Sequence, residues 1–275
     1  MRRLYLIFFI ACLIWPMQPA WPQDQEKIPF YLPISSVDYP NLKHRLDAAL
    51  FEAGLGQFST QTTDYWHSYQ QGLKLGRLGI YLAAPHFVAW ANHQHDFKPL
   101  LKLESNTQYV LASRSRDIDL FEVDDLNDRP VCTQASLNLD FILLNQAFSN
   151  PLYSAKNIIV SNVAKEISSN NRNCHAFTIA NHLFLKHNLA HPESLIRLQQ
   201  GQAWPPYAWV MHPQLESHTK AMSKFLVSEK TLKILRPILR SFSEGEKILP
   251  TETRDYPPSI AAPLVTYWGD LLKKP

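Results

Sequence analysis

Along this chain, short apolar runs alternate with stretches where apolar residues recur every three or four positions. Residues 28–34 form an apolar, aromatic run edged by prolines, which predicts a strand. Ser35, Ser36, Val37 and Asp38 then supply turn chemistry. Pro40 suits the opening of a helix in which Leu42, Leu46, Ala49 and Leu50 share one face, and Gly54 and Gly56 end it. The pattern predicts a strand at 58–62, a helix at 65–75 stopped by Gly76, a strand at 78–82 and a helix opened by Pro85 that runs to 92. Strand and helix alternate, as in a parallel sheet covered by helices.

The alternation then restarts. Strands are expected at 108–113 and 129–132, with a helical turn at 123–126 between them. A helix over 133–148 carries Leu137, Phe141, Leu144 and Phe148 on one face. Strands at 157–160 and 174–179 alternate with helices at 163–169 and 181–187. A strand at 207–211 precedes a mostly helical stretch at 214–239, a proline-rich tail at 250–263 and a short helix at 264–272. The expected fold is α/β, with two Rossmann-like lobes and a hinge of two crossing strands, near 108–113 and 207–211. Ligands of such sheets sit beyond the strand carboxyl ends, where helix N-termini offer free N–H groups.

Composition narrows the function. The 275 residues are 45% hydrophobic and 19% charged, with a formal net charge of +3. The basic residues are scattered, so nucleic acid is not expected as a partner. Arg2 and Arg3 precede an apolar run over 4–15 that is too short to span a bilayer, which needs about twenty residues. Pro16 and the polar stretch 23–27 follow. This reads as a secretory signal peptide over 1–22, and its removal lowers the charge of +3 by two, to +1. Cys12 follows Ala11 as a lipoprotein cysteine would, but Phe9 and the continuing apolar run speak against lipid anchoring. The expected location is periplasmic. The mature chain keeps Cys132 and Cys174, as a disulfide or as two separate thiols.

One family resemblance follows from particular residues. The stretch 65–85 runs from Tyr65-Trp66-His67 through Gly76-Arg77-Leu78-Gly79-Ile80 to Ala83-Ala84-Pro85. It resembles the first-lobe signature of the phosphate/phosphonate-type substrate-binding proteins of ABC transporters, which have the type 2 periplasmic binding fold. The segments 107–114, 123–126 and 129–132, with Ile118, resemble the family's crossing strand, acidic-Leu turn and second-lobe strand. Two departures stand out. Gly79 replaces the usual Asp, and no Gly follows Ser136 where the family has a Ser/Thr-Ser-Gly cluster. The resemblance implies lobe 1 from 23–108 and 208–275, and lobe 2 from 109–207. It implies a small anionic ligand, phosphonate- or phosphate-like, and a membrane permease as partner. The alternative is a ligand-sensing or accessory protein serving a sensor kinase or a redox or enzyme system, with a non-phosphonate ligand.

The candidate contacts are Ser35 and Ser36 after the first strand, Ala84, Pro85 and His86 at the third, and Thr107 and Tyr109 at the crossing. Thr133 and Ser136 open the second-lobe helix, and Asn162 and Asn181 follow later strands. Thr133 and Ser136 also suit plain N-capping. Trp204 and Tyr207 flank Pro205 and Pro206, so they either line the cleft or stiffen the hinge. Gly72, Gly76 and Gly79 follow a helix and precede a strand, the reverse of a phosphate loop. His93 and His95 fall on different helix faces and predict a solvated helix end. Hydrolase elbows and metalloprotease helices do not occur. The expectation is a monomeric binder with no catalytic residue, cofactor or metal.

Overall fold

The computed structural model describes residues 27–63, 66–115, 119–134, 138–160, 162–169 and 173–269. Segment 1–22, expected to be a signal peptide, Ile118 and Ser136 lie outside them. The first sheet is built from β1 (Ile28–Leu32), β2 (Phe58–Thr62), β3 (Ile80–Ala83), β4 (Lys98–Leu103), β10 (Ala208–Met211) and β11 (Ile248–Pro250). The second holds β5 (Tyr109–Arg114), β6 (Pro130–Thr133), β7 (Lys156–Ile159), β8 (Ala176–Ala180) and β9 (Leu195–Gln200).

The two sheets repeat one plan. The first has the order β11-β4-β10-β3-β1-β2 and the second β7-β6-β8-β5-β9. Read from one edge, β2-β1-β3-β10-β4 matches β7-β6-β8-β5-β9 position for position. In each, the second strand from that edge, β1 or β6, pairs in parallel with its two neighbours. At the far edge of the first sheet β11 runs against β4. One interior strand in each runs against both of its neighbours: β10 against β3 and β4, and β5 against β8 and β9. These antiparallel strands are the ones that follow a passage of the chain from the other sheet.

The hinge therefore lies just before those strands, a correction to the expected crossings at 108–113 and 207–211. Apart from Gln108 and Tyr207, both of those segments are sheet members. Thr107 and Trp204 face each other between the sheets and exchange two backbone hydrogen bonds, at 2.9 and 2.8 Å. The chain crosses and returns as a two-stranded connection.

The helices are α1 (Leu42–Glu52), α2 (Trp66–Lys74), α3 (Pro85–His95), α4 (Leu139–Ala147), α5 (Val163–Ser168), α6 (Asn181–Ala190), α7 (Thr219–Leu226), α8 (Glu229–Phe242) and α9 (Ala262–Trp268). The start of α4 is a second correction. Thr133 was expected to open this helix, yet it ends β6 and pairs with Ile159, and the helix begins at Leu139 with Asn138 at its N-cap position. α3 is buried on all sides because α9 covers its outer face, where Trp268 meets Phe87 and Trp90 at 5.8 and 4.7 Å. Its end is not solvated as expected. His93 bonds the Tyr256 carbonyl at 3.0 Å and His95 the Lys74 carbonyl at 2.7 Å. Gly76 ends α2 with φ 63°, and a Cβ there would lie 2.6 Å from the His95 ring, so glycine serves both the turn and the approach.

The first sheet and its helices share one core, from Phe30 and Leu46 to Trp209 and Leu264. The second sheet divides its core into three smaller clusters, around Phe177, Leu144 and Ile142. Cys132 and Cys174 are joined as a disulfide across a sequence separation of 42 residues.

A cleft between the lobes as candidate functional site

The parallel strands β1, β2, β6, β7 and β8 bring their carboxyl ends to one place. Two cavities lie there. One, of about 200 Å³, is walled by Pro33, Ile34, Ser35 and Thr63 of the first lobe and by Gln134, Asn138, Ile159 and Val160 of the second. The other, of about 140 Å³, shares Ile34, Ser35 and Gln134 with it and adds Tyr39, Tyr109, Asn162, Thr178 and Ser241. The two are adjoining parts of one cleft.

Its chemistry is uneven. Trp66 and Phe242 give the first cavity an apolar wall. The second is edged by hydroxyls and amides. Among the described residues, Asp38 is the only charged side chain lining either one. An anion here would be held by neutral donors and by the first turn of α4, whose cap residue Asn138 lines the cleft.

Behind the second-lobe wall is a polar network. Asp140, in the first turn of α4, is wholly buried. It accepts the Gln134 N–H at 2.6 Å and the Thr178 hydroxyl at 3.3 Å. Burial pushes its carboxyl up to about 6, against the opposing hydrogen bonds from Gln134, Phe141 and Thr178. Tyr207, on the return crossing, donates to Asn138 at 3.3 Å, and its hydroxyl lies 3.3 Å from that of Tyr109. Burial raises both phenols well above their ordinary value. Tyr207 thus links the hinge to the cap of α4.

The residues expected from sequence fall into three groups. Ser35, Tyr109 and Asn162 line the cleft. Ser35 Oγ accepts the Val37 N–H at 3.3 Å, and Asn162 Oδ1 accepts the Lys165 N–H at 3.0 Å as the cap of α5. Thr107 and Asn181 belong to the crossing. Asn181 bonds Gln108 through backbone and side chain, at 2.8 and 3.2 Å. Thr133, Ser36, Ala84, Pro85 and His86 line neither cavity. Thr133 is buried and donates to Asn157 at 2.6 Å, Ser36 faces solvent, and Ala84-Pro85-His86 is interior. The sequence reading missed Gln134, Asn138, Asp140 and Thr178. Asn138 and Asp140 sit at the start of a strongly apolar helix, where a lone carboxylate is a visible sign of first-turn placement.

Among the described residues, no group of three or more His, Cys, Asp or Glu is placed to hold a metal, and no helix is long and apolar enough to cross a membrane.

No protein-family profile and no curated protein sequence matches this chain. Solved structures do. PhnD1 from Prochlorococcus marinus in complex with methylphosphonate superposes with a TM-score of 0.66 at 12% identity, covering 90% of this chain and 100% of that one. The binding component of an ABC phosphonate transporter from Pseudomonas aeruginosa gives 0.61 at 13% identity, over 85% and 84%. XAC2383 from Xanthomonas citri, bound to chloride, gives 0.61 at 10% identity, over 90% and 100%. The fold is the type 2 periplasmic binding protein fold. It agrees with the two-lobed α/β architecture expected from sequence, and with the repeated strand order of the two sheets.

Proposed function

We propose that this chain is an exported solute-binding protein that captures a small anionic ligand, phosphonate- or phosphate-like, between its lobes and presents it to an ABC transporter permease in the periplasm. The observation that carries the reading is the meeting of strand carboxyl ends from both sheets at one cleft, edged by Ser35, Tyr39, Tyr109 and Thr178. PhnD1 and the Pseudomonas component, named for phosphonate, support the ligand class. The apolar wall of Trp66 and Phe242 suits the carbon substituent of an organic oxyanion.

In this reading the lobes are 23–108 with 208–275, and 109–207, and segment 1–22 directs export. Ser35, Tyr109 and Asn162 contact the ligand, while Thr107 and Asn181 act at the hinge. The closed form binds ligand more tightly than the open form, and that difference drives closure. The protein binds without turnover, cofactor or metal, as a monomer.

The test is thermal unfolding of the mature protein with alkylphosphonates, phosphate and alkanesulfonates. A ligand at a hundred times its dissociation constant adds about 2.7 kcal/mol, or roughly 5–10 °C for a chain of this size. No shift with any member of the panel would contradict the proposal.

A further inference from the structure

Asp140 is the only acidic residue among the described residues that is fully withdrawn from solvent. Its two oxygens differ. Oδ2 accepts from the Gln134 N–H and the Thr178 hydroxyl. Oδ1 is buried with no hydrogen-bond partner. Among the described residues no cation is paired with it. From β5 it faces Tyr109 and from the return crossing Tyr207, both neutral phenols. From β8 it faces Thr178, and the neighbouring Cys132 of β6 is held in the disulfide. A buried, unbalanced carboxylate is costly in its ionised form.

Two of its donors belong to the cleft wall. Gln134 lines both cavities and Thr178 lines the second. An oxyanion seated there carries negative charge close to Asp140 and competes for the same donors. We propose that Asp140 is a positioning residue through which oxyanion capture in the cleft is linked to uptake of one proton. This rests on the oxyanion-binding reading above. The proton comes from solvent and forms an O–H bond on the Asp140 carboxyl. The neutral carboxyl no longer repels the ligand, and it releases its claim on the wall donors. At higher pH the ionised carboxylate holds those donors and opposes the ligand. The titration of this carboxyl near pH 6 places the effect between pH 5 and 8.

The test is calorimetric titration of methylphosphonate into wild type and Asp140→Asn from pH 5 to 8, in buffers of different ionisation heat. The ligand's own titration is common to both proteins, so their difference isolates Asp140. The expected result is a wild-type affinity that falls on the order of tenfold more than the variant's across this range, a coupling of ordinary allosteric size, with extra proton uptake in wild type alone. Identical pH profiles in the two proteins would overturn the inference while leaving the binding reading intact. Absence of binding by either protein at any pH would instead remove the binding reading, and this inference with it. A second measurement needs no variant. The carboxyl resonance of Asp140, followed by carbon NMR in wild type, should titrate at higher pH once methylphosphonate is bound. An unmoved midpoint in a binding protein contradicts the inference.

Discussion

The two lobes share a strand order but are held together differently. The first has one continuous core, in which Phe30, Tyr81, Trp209 and Leu235 are all buried. The second has three small clusters on the faces of its sheet. It adds two devices, of which the first has no counterpart among the described residues of the other lobe. One is the Cys132–Cys174 disulfide. The other is Arg114, whose guanidinium donates to the carbonyls of Cys174, Glu166 and Ser169 at 3.2–3.4 Å and lies 4.8 Å from the centre of the Phe177 ring. A small unit buries a smaller fraction of its surface, so a covalent tie carries more of its stability. The lesson is that one topology can rest on burial in one copy and on stapling in the other.

The sharpest way to break this comparison is to open the disulfide. Closing a loop of about 42 residues constrains the unfolded chain by about 4 kcal/mol in the chain-entropy account. Cys132→Ser should therefore cost about that much. Hydrogen exchange should show protection lost across β5–β9 and retained across β1–β4. The converse experiment is Leu46→Ala, in the first core, where Leu46 is fully buried. A large-to-small change of this kind costs about 3 kcal/mol, and protection should fall in the first lobe only.

Asp140 gives a pH signature to the second lobe. Its folded-state pKa of about 6 lies above the ordinary carboxylate value, so between pH 4 and 6 the folded protein binds more protons than the unfolded chain. Stability from this group is therefore greatest below about pH 4 and falls as pH rises through 6. The loss is on the order of 2–3 kcal/mol. Urea unfolding at pH 4, 5 and 7 should show the decline in wild type and a flatter profile in Asp140→Asn. The smallest effect is at the hinge. Tyr207→Phe removes the hydroxyl bonded to Asn138 and near Tyr109, and should cost about 1 kcal/mol by equilibrium unfolding.

The sequence was legible where a strand is a compact apolar run. β3, β5, β8 and β10 are wholly buried and β1 is half-buried, and their alternation with amphipathic helices announced the two sheets. It was not legible where a strand pairs without looking apolar. β4 carries Lys98, Pro99 and Lys102, β9 lies at an edge with Arg197 and Gln200 exposed, and β11 has three residues. Those strands form because neighbours recruit their backbone, a tertiary cause with little local signature. The site divides in the same way. Ser35 was readable from its place after the first strand. Thr133 was misread because a hydroxyl between a strand and a helix suits a cap equally well. Asp140 and Thr178 acquire meaning only when α4 packs on β8, which no spacing along the chain reveals.

The central claim is that ligand is held in the cleft shared by Ser35 and Gln134. The direct measurement is the unfolding midpoint with and without saturating methylphosphonate, in wild type and in Ser35→Trp, whose ring would block the part of the cleft that both cavities share. The account predicts a rise of several degrees in wild type, from about 2.7 kcal/mol of added stability, and none in the variant. An equal rise in both proteins would place the ligand elsewhere and contradict the account.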